Sequence, residues 1–252
     1  MVSMPPAPSP PKLRIYCETL PFEEVTRPRA LALMQRYGLE IVLAVRPWQL
    51  LELPTVTKVL RDAGVACSVW PVLSDEEGRW ASAGNAAPFV RFLRSTIDRL
   101  AAANALPREV LLDLEPPFAH ARALAASAAG AGRWFDGSWV RAQATPASAM
   151  HAASRELAAA VVDLHAGGVS TASAVWPLVA LDPPGDHGWQ SLLGTPVDAL
   201  ATRRVSVMMY TSILEGWSRG ALRRRDARLL LAAATARALR RWGAGAGISL
   251  GC

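Results

Sequence analysis

The chain has 252 residues, half of them hydrophobic, and a formal net charge of +6 that rests almost entirely on arginine. That composition excludes general disorder, and no apolar run approaches the roughly 20 residues a membrane helix needs. Cys17, Cys67 and Cys252 are scattered, which excludes a CxxC metal or redox pair and a disulfide framework.

Residues 1–12 are Pro-rich and lack the apolar stretch of a secretory signal. They read as a loose arm before a single barrel domain over residues 13–252. A cytoplasmic location follows by default, and a secreted one if the start is misassigned. Only Lys12 and Lys58 are lysines, and alanine is abundant. This is the residue bias of a GC-rich, bacterial genome.

Short β-rich runs then alternate with helical stretches, the mark of βα units on a parallel sheet. The first strand spans 13–17 and ends in Glu18. A helix over 27–37 follows, with Gly38 as its C-terminal cap. A second strand covers 40–45 and is closed by Arg46-Pro47-Trp48. A helix over 55–63 ends at Gly64. The third strand is 65–72, with Trp70 near its end, and a loop holding Asp75, Glu76 and Trp80 leads to a helix over 87–103. The fourth strand is 109–114, stopped by Glu115-Pro116-Pro117 because proline cannot continue a ladder.

Residues 118–145 read as a long insertion, Ala-rich and then Gly/Trp-rich. A helix over 147–165 precedes the fifth strand, 169–176. The Pro/Gly-rich segment 177–196 reads as a loop carrying Asp182, Asp186, His187 and Trp189. The sixth strand is 204–210. After Glu215 and Trp217 comes an Arg-rich helix within 219–241, then a seventh strand over 247–252. The fold class is therefore α/β, a (β/α)8-type TIM barrel with seven recognisable strands. Either the last βα unit is missing, the barrel is open, or an eighth strand lies in 118–145 or 177–196. The length, about 250 residues, suits that fold.

Loops after strand ends carry most of the Trp, Asp and Glu, and that is the end where barrel active sites sit. Asp113 and Glu115 share one face of the fourth strand, since side chains alternate. Two neighbouring carboxylates repel, so one holds its proton and can serve as a general acid. Ser206, Met208 and Tyr210 share a face of the sixth strand, which brings the Tyr210 hydroxyl to the same mouth. Trp70 and Trp176 fall at strand ends, where flat apolar rings can stack on sugars. Glu18 and Arg46 meet at this rim as an ion pair, or Glu18 supplies a further acid.

The segments Asp113-Leu114-Glu115, Met208-Met209-Tyr210 and Gly247-Ile248-Ser249-Leu250-Gly251, in this order on strands four, six and seven, resemble glycoside hydrolase family 18, the chitinases and endo-β-N-acetylglucosaminidases. The resemblance implies hydrolysis of N-acetylated sugar polymers or oligosaccharides by substrate-assisted catalysis, an exception to the two-carboxylate scheme. Glu115 would protonate the glycosidic oxygen, Asp113 would orient the acetamide, and Tyr210 would hydrogen-bond it. Glu18, Arg46, Trp70, Trp176 and Met208 would line the substrate site. The family pattern DxxDxDxE is met here by Arg108 and Leu111 at its first two aspartate positions, and by Thr211 where Asp commonly follows the tyrosine.

Two other readings compete. One is a carbohydrate-binding barrel without catalysis. The other is a metal-dependent isomerase or lyase in which Asp182 and His187 join Asp113 and Glu115 around a divalent ion. No HxH, HExxH or CxxC spacing supports a metal, and no Gly-rich loop follows a strand as a phosphate cradle would require. The expected partner is a carbohydrate, with no cofactor. The Arg-rich helix lacks the interleaved aromatics or motif of a nucleic-acid binder and reads as a solvated outer face. Oligomeric state leaves no mark on the sequence.

Overall fold

A computed structural model describes residues 13–116, 120–121, 144–183, 185–210 and 224–251. The strands are β1 (Arg14–Cys17), β2 (Glu40–Val45), β3 (Cys67–Pro71), β4 (Glu109–Leu114), β5 (Ser170–Val175), β6 (Arg204–Tyr210) and β7 (Ala246–Gly251). They form one sheet in sequence order, every neighbouring pair parallel. The helices are α1 (Phe22–Val25), α2 (Pro28–Tyr37), α3 (Leu53–Asp62), α4 (Ala86–Ala102), α5 (Ala147–Ala166), α6 (Gly188–Leu193) and α7 (Arg224–Trp242). No helix among the described residues is long and apolar enough to cross a membrane.

The strands are apolar on both faces because each face is covered. Outward residues of β2 (Ile41, Leu43, Val45) pack with Leu53 and Leu60 of α3 and Met34 of α2. Outward Val110, Leu112 and Leu114 of β4 pack with Phe89 and Leu93 of α4 and Leu157 of α5. Inward residues make a separate cluster: Val42, Ala44, Trp70, Val72, Leu111, Ala172, Ala174 and Met208, with Tyr16 and Tyr210 against it. A third, interior cluster of side chains drawn from β1 to β6 requires the sheet to curl on itself. Ser249 Oγ of β7 donates to the Tyr16 hydroxyl of β1 at 3.0 Å, and Ser206 Oγ lies 2.6 Å from Ser249 Oγ. These side-chain contacts reach across the seam of a curled, seven-stranded parallel sheet whose edge strands β1 and β7 are not paired with each other among the described residues.

Several expectations change in detail. Among its described residues, segment 177–196 holds no strand; it forms a one-turn helix at Pro177–Leu181 and then α6, with a further turn just beyond it at Val197–Ala199. An eighth strand there is ruled out, and segment 118–145 lies almost wholly outside the described residues. The Arg-rich helix is not simply solvated. Arg237 donates to the Leu181 carbonyl at 2.8 Å, Arg241 donates to the Asp182 carbonyl at 2.9 Å, and Arg241 also pairs with Asp198. These contacts dock α7 onto the segment after β5. His165 on α5 is half-buried, with Nε2 2.8 Å from Thr171 Oγ1 of β5; His151 is exposed.

Candidate active site at the carboxyl end of the barrel

The interior of β4 reads Glu109, Leu111, Asp113, with Glu115 one step beyond the strand. Asp113 is 2% exposed. Its neighbours in register on β5 are small, Ala174 beside Asp113 and Ala172 beside Leu111, which leaves room for the carboxyl to stay inside. Burial first, then the charge and hydrogen bond of Glu115, and then Glu18 push the Asp113 carboxyl well above the usual carboxylate range. Glu115 is half-buried. Burial pushes it from 4.5 to about 7, against hydrogen bonds from Trp176 and Asp113 that pull it down. The donor from Trp176 is the indole Nε1–H, on Glu115 Oε2. Two adjacent acids, both pushed upward, favour retention of a proton by the pair, which is the condition for a general acid.

Tyr210, at the end of β6, stands in the same field. Burial and then the charges of Asp113 and Glu115 push its phenol up, so it stays a neutral hydroxyl. Two buried polar atoms here have no hydrogen-bond partner: Asp113 Oδ1 and Trp70 Nε1. They lie on the interior faces of adjacent strands, one an acceptor and one a donor. Unsatisfied buried groups are rare in folded proteins, and a site for a polar ligand is one reason for them.

The side chains expected at the mouth fall into two levels. Glu115, Tyr210, Trp176, Glu18 and Arg46 are half-buried at the rim. Glu18 Oε1 lies 3.4 Å from Arg46 Nη2, so the ion-pair reading of Glu18 holds. Trp70 and Met208 lie deeper, each 6% exposed, with Trp70 set edge-on to Tyr16 at 6.2 Å and 82°. Trp48 stands out at 66% exposed, with the Arg46 guanidinium 5.6 Å from its ring centre. Trp189 belongs to the outer layer. Trp134, Trp139, Trp217 and Thr211 lie outside the described residues.

Sequence reasoning missed two groups, Arg79 and the placement of Trp80. The ladder between β3 and β4 stops after Val69↔Val110. Residues 72–81 then loop out and return to β4 at a single bridge, Ala81↔Leu114, where Ala81 N donates to the Asp113 carbonyl at 2.8 Å. This detour sets Arg79 and Trp80 beside the acid pair. Arg79 Nη1 lies 3.5 Å from Glu18 Oε1, and Trp80 packs against the interior cluster. The one signal in the sequence was an acid and an arginine four apart, Asp75 and Arg79, with a tryptophan next to them just past a strand end.

The metal constellation is not assembled. Asp182 accepts from Trp189 N at 2.8 Å and from Gln190, at the start of α6, while His187 Nδ1 lies 3.1 Å from Asp198. Those residues tie α6 and α7 into the outer layer. Among the described residues no group of three or more His, Cys, Asp or Glu is arranged to hold a metal.

No family model matches the sequence, and no curated protein matches it. Solved structures do. The PgaB (BpsB) glycoside hydrolase domain from Bordetella bronchiseptica aligns over 96% of this chain and 84% of its own, with a TM-score of 0.54 and 13% identity. D-psicose 3-epimerase, solved in the presence of D-fructose, aligns over 96% and 85% with a TM-score of 0.48 and 15% identity. At such identities the first likeness establishes the TIM-barrel-like fold and nothing about chemistry. Membership of glycoside hydrolase family 18 in particular is not supported by these comparisons.

Proposed function

We propose that this protein is a glycoside hydrolase-like enzyme acting on N-acetylated sugars, with Glu115 as general acid. The observation that carries the reading is the Asp113–Glu115 pair: two hydrogen-bonded carboxyls at the carboxyl end of the barrel, gripped by the Trp176 indole N–H. A protonated Glu115 gives its proton to the glycosidic oxygen. The acetamide oxygen of the same sugar attacks the anomeric carbon as that bond breaks, and Glu115, now a carboxylate, takes a proton from the incoming water. An amide has one acceptor and one donor, which match the orphaned Trp70 Nε1 and Asp113 Oδ1. Tyr210 supplies a neutral hydroxyl to the same group. Likeness of fold to a glycoside hydrolase domain agrees with this assignment.

The test is hydrolysis of chromogenic N-acetylglucosaminide oligomers by wild type and Glu115→Gln. The expected loss is about 10²- to 10⁴-fold, the usual worth of a positioned acid; an unchanged rate overturns the assignment. One observation favours a second reading, a sugar-binding barrel without turnover. Leu111, beneath Asp113, is a buried aliphatic packed among the interior side chains, where an acid would otherwise support the pair. Calorimetric binding of chito-oligosaccharides by a wild type that hydrolyses none of them selects that reading, and no binding at all counts against both.

A further inference from the structure

We propose that Arg79 is a positioning residue of this site: the loop over 72–81 pins its guanidinium against Glu18, at the mouth that holds the Asp113–Glu115 pair, where its positive charge favours a carboxylate at Glu115. The inference rests on the assignment of Glu115 as the acid and adds to it a residue that sets the pH at which that acid works.

The loop is built to hold this one side chain still. Arg79 has φ of +59°, a left-handed conformation that non-glycine residues seldom adopt. Its backbone is fixed on both sides, since Arg79 N donates to the Ser74 carbonyl at 3.0 Å and Leu73 N donates to the Arg79 carbonyl at 2.9 Å. Buried Asn85 clamps the loop by donating to the Glu77 and Trp80 carbonyls at 2.9 and 2.8 Å. The side chain is aimed by a bidentate pair with Asp75, 2.8 and 3.0 Å, and by the Trp80 ring, 5.3 Å from the guanidinium carbon. A fork held on one side by Asp75 and on the other by Glu18 has little freedom to follow solvent. Two residues later, Ala81 is hydrogen-bonded to the Asp113 backbone, so the loop is registered on the strand that carries the acids.

The charged and titratable groups around this position, among the described residues, are Glu18 after β1, Tyr16 on β1, Arg46 after β2, Asp75 on the loop, Asp113 on β4 and Tyr210 on β6. Burial and the charge of Glu18 disfavour a charge on Glu115, while hydrogen bonds from Trp176 and Asp113 favour it. Arg79 acts in the same direction as those hydrogen bonds, and the electrostatic attraction between Arg79 and Glu115 lowers the proton affinity of the acid.

The experiment is a 13C titration of the glutamate carboxyls in the full chain, with the Glu115 signal assigned by its absence from Glu115→Gln. Arg79→Met keeps the apolar stem over Trp80 and removes the charge; Arg79→Lys keeps a charge. Removing a screened, nearby opposite charge raises a carboxyl by about half to one pH unit. The midpoint of Glu115 is expected to move up by that amount in Arg79→Met and to stay near the wild-type value in Arg79→Lys. Melting temperatures check that each variant is folded, and Arg79→Gln serves as the neutral variant should the methionine protein fail to fold. An unmoved midpoint in the neutral variant, or an equal shift in Arg79→Lys, overturns the proposal. This readout needs no substrate. Hydrolysis lost in Glu115→Gln with an unmoved midpoint in Arg79→Met sinks only the role of Arg79; a moved midpoint in a protein that hydrolyses nothing sinks only the glycosidase reading.

Discussion

Strand β4 carries acids at both ends of one interior face, and the two ends are treated in opposite ways. At the amino end, Glu109 is buried and fully partnered. Arg14 Nη1 lies 2.5 Å from its Oε1, Ser68 Oγ donates to the same oxygen at 3.2 Å, and Arg204 stands 3.7 Å from Oε2. Arg14 also reaches Glu40 at 3.0 Å. At the carboxyl end, Asp113 and Glu115 have each other and a tryptophan N–H, with Arg79 as the nearest offset to their charge. A paired acid serves stability. A pair of acids left short of counter-charge costs stability and gains a proton that can be moved, the usual division between the two ends of a barrel.

Four experiments test this division between the two ends. The largest expected effect is the loss of about 10²- to 10⁴-fold in hydrolysis for Glu115→Gln, with little or no loss of stability in urea, because the substitution removes a repelled charge. Next is Arg14→Met at the other end. It leaves Glu109 buried with only Ser68 and the more distant Arg204, and breaking a buried pair from one side costs about 3 kcal/mol or more. Equilibrium unfolding should show that drop, while hydrolysis by the folded fraction is retained. If Arg14→Met costs nothing and Glu115→Gln costs several kcal/mol, the two ends have been assigned the wrong roles.

The third effect is the pH dependence of stability. Glu115 is raised from 4.5 to about 7, and Asp113 is raised as well. An acid raised on folding contributes fully below its unfolded value, and that contribution is lost as the pH climbs through the folded value. Stability should therefore fall between about pH 4.5 and pH 7, by roughly 3 kcal/mol for Glu115 alone. Denaturation across that range should show the fall in wild type and a flatter curve in Glu115→Gln. The smallest effect is expected from Trp176→Phe, which keeps the ring and removes the N–H. Losing a hydrogen bond to a charged group of about 1.5 kcal/mol lowers kcat/KM by about tenfold and raises the basic limb of its pH profile. A tenfold loss with no change in that profile would make Trp176 a packing residue only.

Much of the architecture was legible from local pattern. The sixth strand was placed at its observed bounds, and the third, expected over 65–72, was shortened only to Cys67–Pro71. Such runs are dense in β-branched and apolar residues and are bounded by Gly, Pro or charge. The shared face of Asp113 and Glu115 was equally legible, because alternation along a strand is a matter of covalent geometry. The helices inside 177–196 were not. Their hydrophobic positions, Val179, Leu192 and Leu193, are too few to show a period, and the segment is ordered by Asp182, Gln190 and Asp198 contacts made across the outer layer.

Periodicity and strand ends along the chain suffice for an α/β barrel-type fold with seven recognisable parallel strands and for two acids on one face of the fourth; they leave an eighth strand open. Which charges meet is a matter of tertiary packing alone. Arg14 finds Glu109 across 95 positions of sequence, Trp176 finds Glu115 across 61, and Arg79 arrives at the mouth because β3 and β4 part after Val69↔Val110. Electrostatic partners are chosen by distance in space and by burial, and neither quantity can be read along the chain until the sheet has curled.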